Sequence, residues 1–255
     1  MFGLFAMQQS PATFNRRDAA AHNIAPKLSS RGPLHEAPRT NVSPLFHPKG
    51  FAMSATPGFI RKEDAVVLML DHQTGLFSLV RDFQPDEFRN NVLALAATAK
   101  YFGLPTILAT SMDQGPNGVL LPQLREILPD APVIKRPGEI NAWDNPEFLK
   151  TLKATGKKQI IVAGIVTDVC VAMPTLSALA EGYEVFVVVD ASGTFSSVAR
   201  DSAHIRMANA GAQLINWFAV ACELQRDWRN GMEGLAALFE KHIPDYGNLI
   251  SGLKR

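Results

Sequence analysis

From residue 64 onward the chain alternates two hydrophobic rhythms. Short apolar runs rich in valine and isoleucine occupy 65–70, 106–110, 132–135, 159–163, 184–189 and 213–217. They mostly lack polar alternation, as strands of a parallel sheet covered on both faces should. Between them the apolar positions recur every three or four residues. In 86–102 these are Phe88, Val92, Leu95, Ala96, Ala99 and Phe102, and the pattern stops at Gly103 with Pro105 beyond. The stretch 146–154 follows Asn145 and opens on a proline, which suits a first helical position. Further helices are expected at 168–181, 198–210, 220–228 and 231–242, the first two ending at Gly182 and Gly211. Six strands with intervening helices predict an α/β fold, a three-layer α/β/α sandwich around a six-stranded parallel sheet with right-handed crossovers.

The first 62 residues show neither rhythm. They carry eight Lys or Arg against Asp18 and Glu36, a net of +6, so the remaining residues sum to −5 within a total of +1. Seven of the seventeen prolines also fall there. Residues 1–56 therefore read as a basic, Pro-rich extension expected to be disordered, and 57–255 as the folded domain. The composition is that of a dispensable extension or of a start codon placed ahead of Met53. A mitochondrial transit peptide is the alternative, against a cytoplasmic location otherwise. The near-neutral charge offers no reason to expect nucleic acid as partner. No apolar run has the length of a membrane span.

Ligands of open parallel sheets sit beyond the carboxyl ends of the strands. Those ends deliver Asp71 after the first strand, Lys135 and Arg136 after the third, and Cys170 after the fourth. A carboxylate, a cation and a thiol together can run acyl transfer. The carboxylate relays the thiol proton, the cation fixes the carboxylate, and backbone N–H groups hold the oxyanion. Cys170 falls in the first turn of the expected 168–181 helix, with Thr167 or Asp168 as N-cap, where the helix dipole favours the thiolate. Each signal taken singly has an ordinary structural explanation. Cys222, inside an apolar helical run, reads as an inert core residue. His72 reads as structural, because neighbours on a strand point to opposite sides. Gln73 serves either as a loop tie or as a substrate donor. Asn141, Trp143, Phe77 and Phe195 are candidate pocket residues, with core packing favoured for Phe77 and an oligomer contact equally open for Trp143. No glycine-rich nucleotide motif is present, so no cofactor is called for.

Four ordered segments, DHQTGLFSLVRD at 71–82, RPGEINAWDN at 136–145, GIVTDVCV at 164–171 and DASGTF at 190–195, carry a resemblance. The chain resembles the isochorismatase-like cysteine hydrolase superfamily, closest to its YcaC-type branch of bacterial hydrolases, over about 57–250. The resemblance implies a triad of Asp71, Cys170 and a cation. The branch context RPG…NAW points to Arg136, the wider family's lysine to Lys135. It also implies a cis peptide at Val166–Thr167 that aims the N–H groups of Thr167 and Cys170 at an oxyanion. Nicotinamidases of the superfamily hold a metal through an Asp-x-His cluster after the second strand. Here that region, 111–117, has no histidine, so no metal is expected. True isochorismatases lack the cysteine.

The expected function is cofactor-free hydrolysis of a small amide, carbamoyl or related acyl substrate through a thioester on Cys170. The alternatives are a non-catalytic oligomeric scaffold of the same fold and a redox-reactive thiol protein. The resemblance further implies a large homo-oligomer, an octamer among the expected forms, with neighbours closing the pocket. The aromatic-rich late helices around Trp217, Phe218, Trp228 and Phe239 are the expected contact.

Overall fold

A computed structural model describes residues 58–252 of the chain. The expectations for residues 1–56 lie outside the described residues. The six strands are β1 (Ala65–Leu70), β2 (Thr106–Ser111), β3 (Val133–Arg136), β4 (Gln159–Gly164), β5 (Glu184–Val188) and β6 (Gln213–Ile215). All pair in parallel, in the order β3-β2-β1-β4-β5-β6. The helices are α1 (Pro85–Phe102), α2 (Pro122–Ile127), α3 (Pro146–Ala154), α4 (Ala172–Ala180), α5 (Ser197–Asn209), α6 (Trp217–Gln225), α7 (Glu233–His242) and α8 (Pro244–Gly252).

Period-two alternation sorts the strand side chains into two cores, one on each face of the sheet. Val67, Met69, Leu108, Ile161 and Phe186 pack with α1, α2, α6 and α7. Val66, Leu68, Leu70, Ile107, Ile160 and Val185 pack with α3, α4 and α5. The fold is the expected three-layer α/β/α sandwich, and strands apolar at both parities are what let it close on both sides.

Local chemistry explains most of the boundaries. The N-cap side chains of Asn145, Ser196 and Asn216 accept hydrogen bonds from Phe148, Ala199 and Ala219 N–H, at 2.9, 3.2 and 2.7 Å. The Asn216 cap also corrects the last strand, which stops at Ile215 instead of reaching Trp217, because Trp217 already opens α6. Gly103 ends α1 at φ 63°, a left-handed conformation that glycine adopts freely. Two short helices were not anticipated, α2 and α8, and each opens on a proline.

Most of the late aromatics proposed as an oligomer contact face the core. Trp217 is 3% exposed and Phe239 is fully buried, and both belong to the core, with Phe218 packed against it. Of the four aromatics only Trp228 stands out to solvent. Among the described residues no helix is long and apolar enough to cross a membrane.

Candidate active site

The strand order reverses between β1 and β4, and the loops leaving this adjacent pair diverge to open the crevice where such sheets bind ligands. Asp71 leaves β1 there and the turn with Cys170 leaves β4. Asp71 is fully buried and adopts φ 58°, a left-handed conformation that Asp tolerates better than most residues. Its N–H donates to the Ala109 carbonyl at 2.9 Å, tying it to β2.

The third strand separates its two cations by alternation. Arg136 is 2% exposed, and its Nη2 group donates to both oxygens of the Asp71 carboxylate. Its Nη1 group donates to the carbonyls of Glu139 at 2.6 Å and Ile140 at 2.9 Å. Lys135, one residue earlier, points to the opposite side, exposed and paired with Asp113 at 2.8 Å. The alternative left open by the sequence therefore resolves to Arg136 as the cation at Asp71, and Lys135 lies outside the site. The alternation of β3 was the signal that separates them: Arg136 shares a parity with Ile134, which is buried in the core.

Cys170 occupies a wide π-helical turn, Thr167–Val171, that precedes α4. Val169 and Val171 N–H both donate to the Val166 carbonyl, at 3.2 and 3.3 Å. This corrects the regular helix start expected at 168. Neither Thr167 nor Asp168 caps the turn. The Asp168 carboxylate instead accepts from the Thr194 hydroxyl at 2.7 Å, and Thr167 N–H donates to the Gly193 carbonyl at 3.1 Å. Thr167 N–H is thus already committed, contrary to its expected role as an oxyanion donor. The cis peptide lies at Ile165–Val166, one bond before the expected Val166–Thr167.

The electrostatics also depart from expectation. Burial pushes the Cys170 thiol up to about 12, reinforced by the charge and hydrogen bonding of Asp71, while Val166 N–H and Arg136 oppose the rise. Burial likewise raises the Asp71 carboxyl above its ordinary value, against the charge and hydrogen bonds of Arg136 and the hydrogen bond with Cys170. A thiolate at a helix dipole was expected. The thiol is instead held protonated beside a carboxylate, because desolvation outweighs whatever the irregular turn contributes.

The remaining candidates divide sharply. His72 is buried and neutral, its value lowered by burial to about 4, and it bonds the Ala191 carbonyl through Nε2 at 3.0 Å. Its structural role is as expected. The Gln73 amide donates to Ser111 and Gly118 carbonyls at 3.1 and 2.5 Å and accepts from Ser111 N–H at 2.8 Å. Both ends of the amide are engaged, so Gln73 is a loop tie and not a substrate donor. Asn141 caps the short turn Ala142–Asp144 through Trp143 N–H and bonds Ser177, at 3.1 Å each. Trp143 is buried in the core, its Nε1 donating to Glu181 at 2.7 Å. Asn141 and Trp143 are therefore structural rather than pocket residues, because each side chain's polar atoms are already satisfied inside the fold. Phe77 packs on Phe88, ring centroids 5.3 Å apart, as core packing predicts. Phe195, which follows Thr194 in the chain, is half exposed and is the pocket candidate that presents most of its ring to solvent. Sequence reasoning missed Asp82 and Thr194, although both lie inside the quoted motifs. Thr194 N–H donates to Asp82 at 2.9 Å.

A buried carboxylate and arginine beside a partly buried thiol thus meet at the switch point of a 3-2-1-4-5-6 parallel sheet. The isochorismatase domain model matches residues 65–218, and the chain belongs to that family. Among its relatives, the probable hydrolase YcaC of Escherichia coli (strain K12) is 65% identical over 190 residues, 74% of this chain and 91% of the relative. The crystal structure of Escherichia coli YcaC, an octameric hydrolase of unknown specificity, superposes with a TM-score of 0.77 at 62% identity. It covers 78% of this chain and 98% of its own. YcaC from Pseudomonas aeruginosa, solved with hexane-2,5-diol and covalent acrylamide, gives a TM-score of 0.78 at 63% identity. That superposition covers 79% of this chain and all of the relative.

Proposed function

We propose that this hydrolase acts without a cofactor on a small amide, carbamoyl or related acyl compound through a thioester on Cys170. The observation that carries the reading is the Asp71 carboxylate, buried between the guanidinium of Arg136 and the thiol of Cys170. A thiol held near 12 is a poor nucleophile until its proton leaves. Asp71 takes that proton as the sulfur forms its bond to the carbonyl carbon, and Arg136 keeps the carboxylate in place. The tetrahedral oxyanion is held by backbone N–H groups of the turn, with Cys170 and Val166 in that role in place of Thr167. Collapse breaks the carbon–nitrogen bond, and the departing amine takes the proton from Asp71. Water, deprotonated by the same carboxylate, then cleaves the thioester and the thiol is restored.

The protonated thiol disfavours the peroxide-sensing alternative, which needs a low-pKa, accessible sulfur. An octameric relative at 62% identity supports assembly of this chain as a homo-oligomer. The relative with covalent acrylamide suggests a probe for the thiol. Acrylamide added to the intact protein is expected to label Cys170 well ahead of Cys222, with the Cys170 adduct lost in Cys170→Ser and slowed strongly in Asp71→Asn, as read by peptide mass spectrometry. Equal labelling of Cys170 and Cys222 would overturn the assignment.

A further inference from the structure

The turn that presents Cys170 lacks the side-chain cap that starts α3, α5 and α6. Its restraint comes from a segment distant in sequence, the buried stretch that follows β5. Gly193 lies beside Ile165 in a parallel bridge, its N–H donating to Gly164 at 3.2 Å and its carbonyl accepting from Thr167 at 3.1 Å. Thr194 then uses every polar group it has. Its hydroxyl donates to Asp168 at 2.7 Å, its N–H donates to Asp82 at 2.9 Å, and its carbonyl accepts from Arg81 N–H at 2.8 Å. The segment is closely packed against Val80 and Phe88. A Cβ on Gly193 would come within 2.8 Å of Val80 and 2.9 Å of Phe88. Gly193 and Thr194 therefore bridge the loop of residues 80–82 to the residues on either side of the turn's first peptide.

We infer that Thr194, anchored by Asp82, is a positioning residue for the nucleophile, holding the Asp168 side of the turn so that the Cys170 thiol faces Asp71. The inference rests on the proposed role of Cys170. Thr194 itself touches no reacting atom. It acts by removing the freedom of a turn whose own hydrogen bonds are few, and small misplacements of a nucleophile are costly in rate. The hydroxyl-to-carboxylate bond is charge-assisted and buried on the Thr194 side, which makes it stronger than an exposed neutral one.

The test is the rate of acrylamide addition to Cys170 in the full chain, with Cys222 labelling as an internal measure of the fold. Thr194→Val, nearly isosteric but without the hydroxyl, is expected to slow Cys170 labelling on the order of ten- to a hundredfold while Cys222 reacts at its wild-type rate. Thr194→Ser restores the hydroxyl and is expected to return the rate close to wild type, which a purely packing role of the threonine methyl would not allow. Asp168→Ala removes the same bond from its other end and should match Thr194→Val, with no further loss in the double variant. Should Thr194→Val fail to fold, Asp168→Ala alone decides the matter. A wild-type labelling rate in Thr194→Val or Asp168→Ala, or a Thr194→Ser variant as slow as Thr194→Val, overturns the inference. A wild-type protein that does not label at Cys170 overturns the nucleophile assignment, and the inference with it.

Discussion

Helices α3, α5 and α6 begin in the ordinary way, each with an Asn or Ser closing its own first turn. The turn after β4 begins differently, with no capping side chain and a π-helical widening around Cys170. An ordinary cap is local and satisfies the backbone with one residue. The turn with the thiol is restrained from outside, by Asp71 and Arg136 on the sheet side and by Gly193 and Thr194 on the other. The two kinds of helix start serve different ends. A cap stabilises a helix, whereas an externally held turn can place a side chain where a regular first turn would not.

The comparison breaks most severely on the sheet side. Arg136→Leu leaves the Asp71 carboxylate buried without its cation, and the expected loss of stability is about 3–5 kcal/mol, measured by urea denaturation. An unchanged midpoint would mean that the pair is not what holds this end of the sheet.

The next largest effect reaches the turn through pH. The segment that restrains it starts at Ala191, whose carbonyl bonds His72. Burial lowers His72 to about 4 from an ordinary 6.5, so the unfolded chain binds that proton first as pH falls. Stability from this residue is complete above about 6.5 and is lost progressively towards about 4, to a total of about 3 kcal/mol. Replacing His72 by Gln should flatten the pH dependence of stability between those limits. A slope of the same size in the variant would assign the acid sensitivity elsewhere.

The smallest effect comes from the ordinary caps and sharpens the contrast. Asn145→Ala and Asn216→Ala should each lower stability by about 1 kcal/mol and leave acrylamide addition to Cys170 unchanged. That is the reverse of the pattern expected for Thr194→Val. If the cap variants also slowed Cys170, the two classes of helix start would not be distinct.

Much of the fold was legible because its signals are local. Apolar runs of strand length, a three-to-four periodicity, and Asn, Pro and Gly at helix boundaries all act within a few residues. The strand ends, and hence Asp71 and Cys170, followed from them. The misread elements have non-local causes. Asn141 and Trp143 looked like pocket residues because a polar or aromatic side chain in a loop gives no sign of what it bonds. Their partners, Ser177 and Glu181, lie nearly forty residues on. The hydrophobicity of the late aromatics likewise does not reveal which face they cover, and Trp217 and Phe239 turn out to cover the core.

Taken alone, the sequence determined the three-layer sandwich and the strand ends that converge, and it put forward Asp71 and Cys170 as candidates for the acid and the nucleophile. It narrowed the cation to two neighbours, and strand alternation on β3 then separated them. Only the tertiary structure decided that the thiol is kept protonated, that its turn is π-helical, and that Thr194 and Asp82 restrain it. Desolvation and the competition for each backbone hydrogen bond depend on what surrounds a group, and those surroundings come from segments up to a hundred residues away.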